Sequence, residues 1–157
     1  MRILIAASQF GLGGTETYSV TVAEQLERLG HPVRLFAGHA TAEGRELAAE
    51  RGLRLTVGDP AALADLDDVD AAIVQDAASS YALARREGLR QVFVVHGAAS
   101  FEHPPQGLTS SPPVVVLNER MRARIAALAT PPEIVRLRQP IDIARFRPLG
   151  TCRPRPH

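Results

Sequence analysis

The chain has 157 residues, 45% of them hydrophobic and 22% charged, with a formal charge of +1 at pH 7; these are the values of one ordinary globular domain, long enough to bury a core and short for two. No window approaches the roughly 18 to 20 apolar residues that cross a bilayer, the opening run Ile3 to Ala7 is shorter than a signal-peptide core, and the single cysteine, Cys152, excludes an internal disulfide or a multi-cysteine metal site, so the expected location is cytoplasmic. All 18 basic residues are arginine, which rules out a Walker A loop, a pyridoxal-phosphate Schiff base and a lysine nucleophile, because each needs an amine that a guanidinium does not replace.

In chain order, Ile3-Leu4-Ile5-Ala6-Ala7 reads as a buried strand, predicted over 2–8. It runs into Gly11-Leu12-Gly13-Gly14-Thr15-Glu16 and a helix predicted over 15–29. Thr15 is a good N-cap for that helix, Val20, Ala23, Leu26 and Leu29 form an apolar stripe at helical spacing, and Gly30 followed by Pro32 ends it. A strand over 33–37, a helix over 41–51 and a strand over 53–57 follow, and Pro60 after Asp59 as cap starts a helical turn within 60–68. Strands over 70–75, 91–95, 114–117 and 133–137 then alternate with helices over 77–87 and 118–129. Val92-Phe93-Val94-Val95 and Val114-Val115-Val116-Leu117 are continuous apolar runs, as strands covered on both faces require. The alternation predicts an α/β fold built on a doubly wound, mainly parallel sheet of about six to seven strands. Segments 103–113 and 148–157 read as loops by their proline and serine content, the first at the rim of a site and the second a linker or tail.

A glycine turn between a first strand and a first helix lies at the carboxyl edge of a parallel sheet, where backbone N–H groups and the positive end of the helix dipole can face an anion such as phosphate. As a dinucleotide fingerprint the turn fails. Glu16 stands where the third glycine of G-x-G-x-x-G belongs, and Phe36-Ala37-Gly38-His39 offers no carboxylate for an adenosine ribose, so NAD and FAD are not expected. A receiver-type domain is disfavoured as well, since its acidic cluster at the first strand end and its later lysine are both missing. Charge is uneven: residues 1–117 carry nine arginines against 14 acids, and residues 118–157 nine arginines against three. The basic quarter reads either as a solvated helix face with a basic tail or as a surface for anionic lipid heads or phosphates. It has no interleaved aromatics or nucleic-acid motif, so no nucleic-acid partner is expected.

Gly13-Gly14-Thr15-Glu16 and Gly30-His31-Pro32-Val33 stand in register with the G-G-x-E and G-H-x-V elements of a known pattern. The chain resembles the N-terminal, acceptor-side domain of retaining GT-B glycosyltransferases of family 4, a group related to mannosyl- and glucosyltransferases. Val94-Val95-His96-Gly97 looks like the strand-end H-G of these domains, and Val116-Leu117-Asn118-Glu119 resembles their next strand, where a serine is usual before the acid. Gln139-Pro140-Ile141-Asp142 and Arg145-Phe146-Arg147-Pro148 resemble the N-G-V-D or N-P-I-D and x-F-x-P that close the domain. The resemblance implies a Rossmann-like single domain over 1–148, one half of a GT-B architecture, then a linker or tail over 149–157, with the C-terminal donor-binding domain absent.

It also implies roles. Gly13 and Gly14 would let the backbone approach the donor diphosphate or sugar across an interdomain cleft; the bland alternative is a tight strand-to-helix turn that touches no ligand. Thr15 and Glu16 would belong to the cleft, where the charge of Glu16 also suits the helix dipole. His96, the catalytic candidate, matches a family histidine that lines the active site near the transferred sugar and acceptor, with Gly97 behind it. Gln75 and Asp76, where relatives often carry a histidine and an acid, would contact acceptor hydroxyls or cap a loop, and Asn118 joins the cleft set. His31 points to packing, and His39 and His103 receive no role. No metal is implied: no histidine pair has ligand spacing, GT-B enzymes characteristically lack a D-x-D site, and Asp65-Leu66-Asp67 lies in a surface-like segment. Glu16 and Glu24 imitate the family's donor-domain E-x7-E spacing, but lie on the first helix of the first domain.

The implied function is the acceptor-binding domain of a nucleotide-sugar-dependent glycosyltransferase, inactive in transfer by itself because the leaving diphosphate is stabilised from both domains. The nucleotide-diphosphate sugar is then a co-substrate of the full enzyme, with no cofactor bound by this domain alone. Its partners would be the C-terminal domain, in cis or as a second chain, and a glycan or lipid acceptor, with peripheral contact at the inner face of a membrane. The competing readings are one subunit of a split two-chain transferase and a noncatalytic binding or scaffold protein that forms a homodimer through the exposed cleft face.

Overall fold

Successive residues of the first strand, β1 (Ile3–Phe10), point to opposite faces of the sheet and so divide the core into two layers. Ile3 and Ile5 pack with Val20, Ala23, Val33, Leu35 and Ala48, whereas Leu4 and Ala6 pack with Leu63, Val74, Phe93, Val114 and Ile125. The computed structural model describes residues 1–99 and 102–141. Cys152, Asp142, the Arg145-Phe146-Arg147-Pro148 motif, the domain end at 148 and the tail at 149–157 lie outside these residues.

After β1 come α1 (Gly14–Arg28), β2 (Val33–Ala40), α2 (Ala42–Glu50), β3 (Arg54–Val57) and a 3-10 turn at Pro60–Asp65. Then follow β4 (Ala71–Val74), α3 (Ala77–Leu83), β5 (Arg90–Val95), β6 (Val114–Val116), α4 (Glu119–Ala126) and β7 (Ile134–Arg136). The seven strands form one sheet in the order β3-β2-β1-β4-β5-β6-β7, and every neighbouring pair is parallel. This is the α/β, doubly wound, Rossmann-like single domain that the apolar runs predict. Helices α1 and α2 cover one face over β1 and β2, and the 3-10 turn, α3 and α4 cover the other. The strand order reverses between β1 and β4, and a parallel sheet opens a crevice at the carboxyl ends of the strands flanking such a switch.

Local chemistry accounts for most boundaries. Asp59 accepts a hydrogen bond from Ala61 N at 2.8 Å with Pro60 at the first helical position, and Gly30, at φ +83°, ends α1 as expected. Two details of the first helix differ from the sequence reading. The helix starts before Thr15: Gly13 is the N-cap and makes no side-chain capping bond, and its carbonyl accepts from Thr17 N at 3.1 Å and Thr17 Oγ1 at 2.8 Å. Leu29 leaves the apolar stripe, being 73% exposed, because the helix has already reached its C-cap there and the side chain no longer faces the sheet. The 103–113 segment is not a free rim along its whole length, since the Tyr81 hydroxyl donates to Gln106 O at 3.0 Å and accepts from Gln106 N at 2.9 Å.

At the amino edge of the sheet Asp70 accepts from Arg2 N at 2.7 Å and from Arg2 Nη2 at 2.9 Å. These hydrogen bonds hold its carboxyl down to about 2. No helix among the described residues is long and apolar enough to cross a membrane.

Candidate functional site

The carboxyl end of β1 passes through Gly11 to Gly13 into α1, and the first turn of that helix folds a carboxylate back onto the loop. Glu16 is buried, and its Oε1 accepts from Gly11 N at 3.1 Å. Its Oε2 lies so near Gly13 that a Cβ there would stand 2.7 Å away. Gly13 has φ −163°, an extended conformation open to any residue, so the backbone does not demand glycine, and a Cβ there would displace only the flexible end of Glu16. Gly14 is different: a Cβ built on it would meet nothing within 4 Å. The diglycine is therefore one position filled by the protein's own carboxylate and one position left open.

One turn further, Ser19 Oγ donates to Thr15 O at 2.9 Å and accepts from Gln75 Nε2 at 2.8 Å. Because the Ser19 proton is committed to Thr15, the Gln75 amide must present its nitrogen to Ser19, which turns Oε1 the other way. That oxygen is buried with no hydrogen-bond partner among the described residues, although Gln75 is only 2% exposed. Gln75 directly follows β4, and its N–H is held by Ala6 O at 2.9 Å, which fixes it at the switch point beside β1.

His96 directly follows β5 and turns to the same helix. Its ring meets the Tyr18 ring edge-on, with centroids 4.7 Å apart and planes at 77°. Burial pushes its pKa down from 6.5 to about 4, partly opposed by the Glu16 carboxylate, so the imidazole is neutral at pH 7. Burial likewise raises the Tyr18 phenol. His96 Nε2 is buried without a partner among the described residues. Gly97 repeats the arrangement at Gly13: a Cβ there would come within 2.6 Å of Glu102 Oε2, which accepts from Ala99 N at 3.2 Å.

The structure thus brings Gly13, Thr15, Glu16, Gln75 and His96 to the α1 side of the carboxyl edge. Asp76 and Asn118 lie at strand ends too, but their side chains are engaged in capping. Asp76 Oδ1 accepts from Ser79 N at 2.9 Å to cap α3, and Asn118 Oδ1 accepts from Met121 N at 2.9 Å to cap α4. Asp76 is 1% exposed, so replacing it with alanine removes the cap from a site that water cannot easily rescue. Asp76→Ala is expected to cost about 1 to 2 kcal/mol in urea denaturation and Asp76→Asn less, since the amide oxygen keeps the cap. Glu24, the residue that imitates donor-domain spacing, pairs with Arg51 at 2.8 Å and joins α1 to α2. His31 Nδ1 lies 3.2 Å from the N-terminal amine, an exposed polar contact. No group of three or more His, Cys, Asp or Glu is placed to hold a metal among the described residues.

Sequence reasoning missed Tyr18, Ser19 and Glu102. Tyr18 and Ser19 had a usable signal, lying two and three residues after Glu16 on the turn that faces the strand ends. Glu102 had none, being one acid in a stretch that the sequence reading assigned to no element. The assembled groups are a neutral imidazole, an unpartnered amide oxygen and a buried carboxylate, all of which can hydrogen-bond to hydroxyls.

No protein-family model matches the chain, and no curated protein matches it. In fold it is similar to the crystal structure of a glycosyltransferase from Rickettsia africae ESF-5, with a TM-score of 0.71 and 14% sequence identity. The match covers 96% of this chain and 46% of that one, so the chain spans less than half the length of that protein.

Proposed function

We propose that this chain is the acceptor-binding, N-terminal domain of a GT-B glycosyltransferase of the family 4 type, which uses a nucleotide-diphosphate sugar together with a second, donor-binding domain. The observation that carries the reading is the pair of unpartnered buried atoms directly after two adjacent strands, Gln75 Oε1 after β4 and His96 Nε2 after β5, on the α1 side of the sheet with Glu16. A buried polar atom without a partner calls for one from outside the chain, and sugar hydroxyls, which both donate and accept, suit an amide oxygen and a neutral imidazole. Gly14 supports the same reading, because the fold itself does not fill the space above it and a donor phosphate could approach the first turn of α1 there. The G-G-x-E and H-G motifs and the fold likeness to a glycosyltransferase agree with it.

In this reading His96 and Gln75 orient the acceptor, Glu16 stays folded on the glycine loop, and the leaving diphosphate is stabilised mainly from the second domain, supplied in cis or as another chain. The 157 residues alone are then expected to bind acceptors without turning over nucleotide sugars. Amide chemical shifts recorded with simple glycosides and short-chain polyprenyl phosphates test the first part: perturbations should gather at 13–19, 75–76 and 96–97. A coupled assay for released nucleoside diphosphate tests the second. Perturbations elsewhere only, or robust turnover by this chain alone, would overturn the proposal.

A further inference from the structure

The face of the sheet that carries α1 is covered over only part of its width. Val74, Phe93, Val95, Val114 and Val116 pack in the layer that holds α3 and α4, so Ile73, Val92, Val94 and Val115, which alternate with them, face the other way. On that side α1 and α2 pack over β1 to β3, and Val94 and Val115 meet only the flank of α1 that carries Tyr18 and Val22. Parallel sheets are as a rule covered on both faces, yet no helix among the described residues lies over β5 to β7 here. An apolar groove of about 290 Å³ is left, floored by these strands and closed at its far rim by Leu137, Arg138 and Pro140. Val135, paired with Val115 across the sheet, widens the apolar surface; it is 36% exposed, Leu137 50% and Ile141 65%.

The chain itself delivers a cover to this place. Residues 142–157 continue directly from the rim of the groove, and their large apolar side chains, Ile143, Phe146 and Leu149, stand three apart with Arg145 and Arg147 between them. A turn of three residues, 3-10 or polyproline, puts such a triplet on one side and the arginines on another. Reach is sufficient: the three strand spacings from β7 to β4 measure about 14 Å, and the eight residues from 141 to 149 extend up to about 26 Å. A tethered segment also acts at a local concentration on the order of millimolar, which favours it over a second copy in dilute solution.

We infer that this groove is the docking site of the chain's own 142–149 segment, with Phe146 seated beside Tyr18 over Val92, Val94 and Val115. The inference does not depend on the activity proposed above, but it has a consequence for that site. Tyr18 lines the groove and also meets the His96 ring edge-on, so the docked segment braces the ring against which His96 is packed.

The test is methyl and aromatic NMR of the whole chain in dilute solution, with Phe146→Ala as the comparison. The expected result is nuclear Overhauser contacts from the Phe146 ring to the methyl groups of Val92, Val94 and Val115, loss of the ring-current shifts of these methyls in Phe146→Ala, and displaced ring signals of Tyr18 and His96 in the same variant. The contacts in the parent chain decide the question even if the variant does not fold. Absence of those contacts, or methyl shifts unchanged in a folded variant, would overturn the inference. So would contacts seen only between differently labelled copies and lost on dilution, which would assign the groove to a second copy of the chain.

Discussion

Replacing Gly44 with alanine should destabilise the protein by about 2 kcal/mol, although alanine is the better helix former. Gly44 lies in the first turn of α2, where Thr41 Oγ1 accepts from its N–H at 3.1 Å. On helix propensity alone Gly→Ala gains about 1 kcal/mol. A Cβ at this position, however, would stand 2.8 Å from the carbonyl carbon of Phe10 and 3.0 Å from Gly11 Cα. Both neighbours are main chain, and Phe10 O is already held by Thr41 N at 3.0 Å, so neither can swing away as a side-chain tip would. Overpacking of this kind costs about 1 to 3 kcal/mol or more, and it outweighs the propensity gain. Gly14→Ala is the matched control: the space above that helical glycine is open, so the propensity gain is unopposed and stability should rise by up to about 1 kcal/mol. Urea midpoints at unchanged m would separate the two. A Gly44→Ala protein as stable as the parent would show that α2 can slide away from the loop. The loop is also the site's frame, because Gly11 N holds Glu16, so the same variant should shift the amide signals of 11–16.

The second large effect expected is acid destabilisation centred on His96. Its folded pKa of about 4 lies below the unfolded value of 6.5, so the unfolded chain binds the proton more readily between these limits. Stability is therefore full above pH 6.5 and falls as pH drops through 6.5 toward 4. The full shift would correspond to about 3 kcal/mol; partial exposure of the ring reduces this to on the order of 2 kcal/mol. Asp70, held at about 2 by Arg2, and Glu43, lowered by backbone and Thr41 hydrogen bonds, lose their contributions at lower pH. His96→Gln should flatten the stability profile between pH 4.5 and 6.5, as read by denaturation at each pH. An unchanged slope would place the titrating group elsewhere.

The strands were legible because a parallel sheet covered on both faces leaves uninterrupted apolar runs, as at Val92 to Val95 and Val114 to Val116. His96 and Gln75 were singled out through the family resemblance, and the structure places both directly after strands at the carboxyl edge of the sheet. What they touch was not legible. Ser19 orients Gln75 from 56 residues away, and Tyr18 meets His96 across the layer between helix and sheet. Local capping preference put the start of α1 at Thr15, whereas the chain turns one step earlier with Gly13 as cap. Gly44, inside the helix predicted over 41–51, carries no local signal of its role, because close approach of two backbones leaves no trace in local sequence. The roles of Asp76 and Asn118 show the opposite limit: a carboxylate or amide at the start of a helix is equally a cap and a ligand group, and residue type alone does not choose.

The strand order also bears on how the polypeptide is made. Central β1 is synthesised first; β2 and β3 then join one side of it, and β4 to β7 extend the other in turn. Each new strand docks on an existing edge, and none has to be inserted between two already paired. A nascent chain leaving the ribosome can therefore enlarge the sheet in the order of translation, with no earlier pairing undone. Among the described residues the sheet ends at four-residue β3 and three-residue β7, and edge strands this short offer little template to another chain.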